Sequence, residues 1–232
     1  MLRIAPLALL LIPAPAAADE KTFMISGFDR IRVEGPFTVR VVTGTSPRAR
    51  TMGDARAIDG VQVRASGRTL TVSASLNAWG GYPGARAEAP VVEITAVSLR
   101  SAAVVGGGSV IIDRMRGQSV DLSVTGAGSL EVGALHADRL SAILAGTGTL
   151  TIGGTARDAR FQSNGAGKID AERLVATQLA VGTQGSGESS FTARRTADIS
   201  ASGLGGVSVL GDASCTVRGT APVSCGRNGP RR

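Results

Sequence analysis

Glycine pairs, carboxylates, one histidine and two cysteines are the residues of this chain that could do chemistry, and their spacing decides which chemistry is open to them. The stretch TGAGSLEV, residues 125–132, has the glycine density of a phosphate-binding loop. A P-loop needs G-x-x-x-x-G-K-[ST], and GAGKID at 165–170 has neither that spacing nor the following Ser or Thr. A dinucleotide fingerprint needs a third glycine and a helix directly behind it, whereas a strand pattern follows here. Glycosidic cleavage needs two carboxylates about 5 to 9.5 Å apart. Asp138 and Asp158 stand 20 residues apart, but each abuts an arginine, Arg139 and Arg157, and a surface ion pair explains them as well. His136, the sole histidine, has no Ser or Asp at triad spacing and reads as a surface residue. No catalytic, metal or cofactor residue is assigned, and no cofactor is expected.

Three further features bear on structure or binding. Cys215 and Cys225, the only cysteines, stand ten residues apart in CTVRGTAPVSC, with His136 far away; in an exported protein they read as a local disulfide. The only Trp and Tyr, Trp79 and Tyr82, share the Gly/Pro-rich loop NAWGGYPGARAEA. They are the possible ligand contacts, because an exposed ring can stack on a sugar; the alternative is a loop folded back over the end of the domain. Asn164 and Gln184 both precede a glycine corner and read as a stacked amide ladder.

The elements that must carry these residues emerge from an internal repeat. G-x-G recurs in GGGSVII, GAGSLEV, GTGTLTI, GAGKIDA, GSGESSF and GLGGVSV, with first glycines at 106, 126, 146, 165, 185 and 203. Four residues after them stand Val110, Leu130, Leu150, Ile169, Ser189 and Val207; six after stand Ile112, Val132, Ile152, Ala171, Phe191 and Val209, with mostly polar residues between. That alternation is a strand with one buried face. Similar alternation before the glycines gives each repeat at least two strands hinged at G-x-G, and a third is plausible near Leu135, Thr155 or Leu174. About 20 residues in two or three short strands make one coil of a β-solenoid. Glu131 and Asp170 then share an outward column but stand two coils apart, on the order of 10 Å.

The amino-terminal third differs. FDRIRVEGPFTVRVVTGTS alternates, with Phe28, Ile31, Val33, Phe37, Val39 and Val41 apolar; VQVRASGRTLTVSASL reads as a hairpin turning at Ser66-Gly67, and APVVEITAV adds a strand. These strands are expected to cap the solenoid. Ahead of them, MLRIAPLALLLIPAPAAADE has the charged start, short apolar run and small-residue end of a secretory signal peptide cleaved after Ala18. No segment reaches the roughly 18 apolar residues of a transmembrane helix, and no Cys near the cleavage site suggests a lipid anchor. The net charge of +7 becomes +6 without Arg3. The arginines are scattered along the sequence without a basic, aromatic-interleaved stripe, so nucleic acid is not an expected partner, while weak attraction to anionic envelope surfaces or glycans is compatible with the charge.

FDRIRVEGPFTVRVVTG, VQVRASGRTLTVSA, PVVEITAVSLRSAAVVGGGSV and the repeated G-x-G together resemble the auto-transporter adhesin head domain called the GIN domain, a bacterial family of unknown function; the likeness spans roughly residues 28 to 210. It implies a single-stranded right-handed parallel β-helix (β-solenoid) of exported or envelope proteins and brings no catalytic or binding residues with it. Autotransporter barrel segments do not follow, so self-export is not implied. The expected organisation is a signal peptide at 1–18, a linker at 19–27, the β-helix at 28–214 and a disulfide-closed cap and tail at 215–232. The expected role is non-catalytic: an exported periplasmic or cell-surface protein presenting a rigid surface for structural or adhesive contact with envelope glycans or surface proteins. The alternative is a carbohydrate-binding module or a polysaccharide lyase or hydrolase on the same scaffold.

Overall fold

The computed structural model describes residues 19–53, 55–75 and 90–226. Its first strands are β1 (Asp19–Phe23), β2 (Arg30–Glu34), β3 (Thr38–Thr43) and β4 (Arg48–Gly53). One helical turn, α1 (Ala55–Asp59), leads to β5 (Val61–Ser66), β6 (Thr69–Ala74), β7 (Val91–Ala96) and β8 (Ser101–Gly106). Five long strands follow: β9 (Ser109–Gly126), β10 (Ser129–Gly146), β11 (Thr149–Gly165), β12 (Lys168–Gly185) and β13 (Ser189–Gly203). The short β14 (Val207–Leu210), β15 (Ser214–Gly219) and β16 (Val223–Cys225) end the stack. The whole is a β-solenoid of about six turns with parallel stacked strands.

Each long strand bends twice and supplies three sides of one coil. In β10, residues 129–132 lie on a first wall, 135–137 on a short side and 140–146 on a second wall, with 133–134 and 138–139 at the bends between them; its pairing with β11 shifts register between Val132 and Leu135, at the first bend. The expected third strand near Leu135, Thr155 and Leu174 is this short side. Because neighbouring coils pair in register, one residue type runs down each column. Val110, Leu130, Leu150 and Ile169 line the first wall, and Leu122, Ala142, Phe161, Val181 and Ile199 the second. All are buried, and together they form one continuous core.

Ser189 breaks the first of these columns. It sits between Ile169 and Val207, is buried, and its Oγ has no hydrogen-bond partner. A buried hydroxyl without a partner keeps its desolvation cost, so Ser189→Val should raise stability by about 1 kcal/mol, read as a higher denaturation midpoint with unchanged m-value.

The amino-terminal third does more than cap. β2 pairs in parallel with both β8 and β6, and β3 with both β9 and β7, so residues 30–43 form a further coil seated between layers built from later residues. Gly35, φ 122°, turns its corner, and Val39 and Val41 occupy the column places of Val110 and Ile112. Among the described residues only β1, β4 and β5 run antiparallel to their neighbours and close this end, as the expectation of capping strands requires. The β5–β6 pair is the expected hairpin, with Gly67 at φ 56°.

At the opposite end, β15 stacks on the second wall and β16 on the first, placing Cys215 over Ala197 and Cys225 over Val209. The two cysteines are joined, with their Cα atoms 6.6 Å apart. The bond therefore spans the end of the core from wall to wall. Closing so short a loop is worth about 2 to 3 kcal/mol. Reduction should lower the melting temperature by roughly 4 to 12 °C for a domain of this size. A melting curve that does not move under reductant would refute the stapling role.

Candidate functional site

The glycine corners bind one coil to the next. Ala127 N–H donates to the Gly106 carbonyl at 3.0 Å; Thr147 and Gly148 N–H both donate to Gly126 O, at 3.0 and 2.9 Å. Amides that a phosphate would need are thus spent on the coil below. The acidic pairs do not converge either. Thr151 separates Glu131 from Asp170 in their column, and Asp158 lies opposite Arg139 rather than Asp138. Asp158 pairs with Arg157 at 3.2 Å, and Glu131 lies 3.9 Å from Arg173. Among the described residues no three metal-ligating side chains come together.

His136 is exposed and its Nδ1 shares a 2.8 Å hydrogen bond with Thr155 Oγ1 on the next coil. Asn164 and Gln184 stand directly opposite one another in the ladder, both exposed. Trp79 and Tyr82, the proposed ring contacts, lie outside the described residues.

What the fold does assemble is a set of outward columns of differing chemistry. The first wall presents Ser109, Ser129, Thr149 and Lys168 in one column, with Ser129 Oγ donating to Ser109 Oγ at 2.9 Å. On the second wall a recess of about 220 Å³ opens where Ala180 and Gly182 of β12 leave their outward places nearly empty, rimmed by Arg160, Gln162, Asp198 and Arg218. The short side, with its bends at 113–119, 133–139, 153–158, 172–178 and 192–196, carries Arg114, Arg116, Arg139, Arg157, Arg173, Arg194 and Arg195, all exposed. Scattered in the sequence, these arginines share one side because each falls near the same phase of a roughly 20-residue coil. Folding the sequence at that period would have exposed the pattern; reading it linearly hides it.

One buried charge also escaped the sequence reading. Asp29 is 2% exposed, and its Oδ2 accepts hydrogen bonds from Arg68 of the hairpin turn and from Arg100, whose Nε lies at 2.8 Å. The Asp29 backbone joins in: its N–H donates to Arg68 O at 3.1 Å, and its carbonyl accepts from Arg100 N–H at 2.8 Å. The residue thereby ties the inserted coil to the layers on both sides. Hydrogen bonding from Arg68, aided by Arg100, holds the carboxyl below the ordinary carboxylate range despite its burial. Both arginines are half exposed or more, so solvent screens the pairs. Asp29→Asn should therefore cost only about 1 to 2 kcal/mol. With its folded pKa depressed, the carboxylate stabilises above its unfolded pKa of about 3.9 and ceases to as the pH falls through the lower folded value. The gap between wild type and Asp29→Asn in denaturant titrations should narrow below about pH 4; a gap that widens there would contradict the assignment.

The family model described as "Putative auto-transporter adhesin, head GIN domain" matches residues 27–213. The chain belongs to this GIN-domain family. Three solved structures share the fold of this GIN domain at low identity. A "putative adhesin" from Bacteroides fragilis is 20% identical, with a TM-score of 0.81 over 91% of this chain and 97% of the other. A "putative lipid binding protein" from Parabacteroides distasonis is 21% identical, with a TM-score of 0.71 over 92% and 98%. A "putative adhesin" from Parabacteroides merdae is 18% identical, with a TM-score of 0.68 over 92% and 97%. No curated protein matches this GIN domain significantly. Among its described residues no helix is long and apolar enough to cross a membrane.

Proposed function

We propose that this GIN-domain protein works outside the cytoplasm as a non-catalytic surface protein, presenting a rigid solenoid for adhesive or structural contact in the envelope. The observation that carries this reading is the stack itself: a single continuous core holds outward columns at a fixed spacing of ~4.8 Å, so side chains far apart in sequence form a stiff, extended surface. The Cys215–Cys225 bond supports an oxidising compartment. The signal-like residues 1–18 and the adhesin names of the family and two similar structures support export and surface contact.

Against the polysaccharide lyase or hydrolase alternative, Asp158 stands beside Arg157, Glu131 beside Arg173, and Thr151 separates Glu131 from Asp170. Fractionation of cells expressing the full chain tests the proposal. The mature protein should begin at Asp19 and partition to the periplasm or cell surface, and should release no reducing ends from acidic or neutral polysaccharides. Uncleaved protein in the cytoplasm, or turnover of any such polymer, would overturn it.

A further inference from the structure

We infer that the arginine-bearing short side of the solenoid is a docking face for an acidic polysaccharide laid along the solenoid axis. The inference rests on the exported surface role proposed above, since such polymers are met outside the cytoplasm. Across five coils the side carries seven arginines against Asp113, Asp138, Asp158 and Glu172, an excess of three positive charges within a length of about 19 Å at the ~4.8 Å strand spacing. Two of the four acids are already engaged. The Asp113 carboxylate accepts from Thr43 N–H and Oγ1, both at 3.0 Å, and from Arg114 N–H at 2.6 Å, while Asp158 pairs with Arg157. Arg114, Arg116, Arg139, Arg194 and Arg195 form no ion pair among the described residues and are exposed. They are free to meet an external anion.

The chemistry selects among polyanions. All but two of the 25 basic residues of the chain, Lys21 and Lys168, are arginines, whose planar fork takes a carboxylate bidentately. No Phe, Tyr or Trp stands in these ranges to stack a nucleobase, and the one imidazole, His136, is hydrogen-bonded to Thr155. The exposed large apolar residues, Met24, Ile111, Ile143 and Leu204 among them, all lie elsewhere, so the side has nothing to insert into a bilayer and would gain only surface attraction from anionic lipid. A chain of uronate sugars asks for the opposite combination: repeated carboxylates in a line, many hydroxyls and no apolar anchor. The arginines climb the stack at one or two per coil and supply that line.

The test uses the full mature chain, polygalacturonate, neutral dextran, and vesicles of equimolar phosphatidylcholine and phosphatidylglycerol, at about 0.15 M salt. Two variants remove equal charge: Arg116→Gln/Arg139→Gln/Arg194→Gln/Arg195→Gln on the short side, and Arg30→Gln/Arg40→Gln/Arg48→Gln/Arg64→Gln away from it. All eight arginines are exposed and form no ion pair among the described residues, so both variants should melt with the wild type. Polygalacturonate should bind and dextran should not; the short-side variant should lose roughly tenfold or more in affinity and the control about threefold or less, with affinity falling as salt rises. Equal losses in the two variants, binding to the vesicles but not the polysaccharide, or no binding to either would overturn the inference. The proposed export is judged separately by cleavage and fractionation, so the two can fail independently.

Discussion

Replacing Gly126 by Val should cost about 3 kcal/mol or more, because two penalties coincide at that corner. Gly126 has φ 111°, where a β-branched residue is strained, and a Cβ placed there would meet the Gly106 carbonyl oxygen at 2.7 Å. That oxygen cannot retreat, since it accepts the Ala127 N–H at 3.0 Å and so belongs to the ladder. The neighbouring Gly107 supplies the control. It has no positive φ, and a Cβ would find nothing within 4 Å, so Gly107→Ala should hold the denaturation midpoint or raise it slightly. Equal stability of the Gly126→Val variant and the wild type would show that the corner is not packed as described.

Phe161→Ala should cost about 3 to 5 kcal/mol, the range for truncating a fully buried aromatic residue. Phe161 and Phe191 are the bulkiest fully buried side chains among the described residues, and their rings meet across the interior with centroids 4.8 Å apart at 53°. They rise from β11 and β13, two coils apart, on opposite walls. Room for the contact comes from small neighbours: Ala142 beside Phe161 and Ala171 beside Phe191 in their columns. Phe161→Leu should recover about half of the loss, since it restores volume but not ring contact. Thermal melts of the two variants check the order; a truncation costing under about 1 kcal/mol would mean that the walls collapse to fill the space.

The columns were legible in the sequence because stacking turns a spatial neighbour into a periodic one. Val110, Leu130, Leu150 and Ile169 could be aligned by counting alone, and the glycine corners with them. Gly35 obeys the same rule, with Val39 four and Val41 six residues on, but 71 residues separate it from Gly106, so no period pointed to it. Asp29 was invisible for a different reason. Its partners Arg68 and Arg100 lie 39 and 71 residues away, and a lone acid at the start of a strand carries no sign that it will be buried. The arginine side fell between these cases, since its members drift in phase where the bends shift register.

The inserted coil also governs the order in which the molecule can assemble. From β9 onward each layer closes on the one before it, so that part can grow by short, cheap steps once any coil exists. Residues 30–43 cannot join that progression on their own. Both of their flanks are built from chain that comes later, β6 and β7 on one side and β8 and β9 on the other, and their ladders must wait for it. Residues 30–43 therefore make the longest-range contacts of their part of the fold, and their two ladders can close only once β6 to β9 are in place.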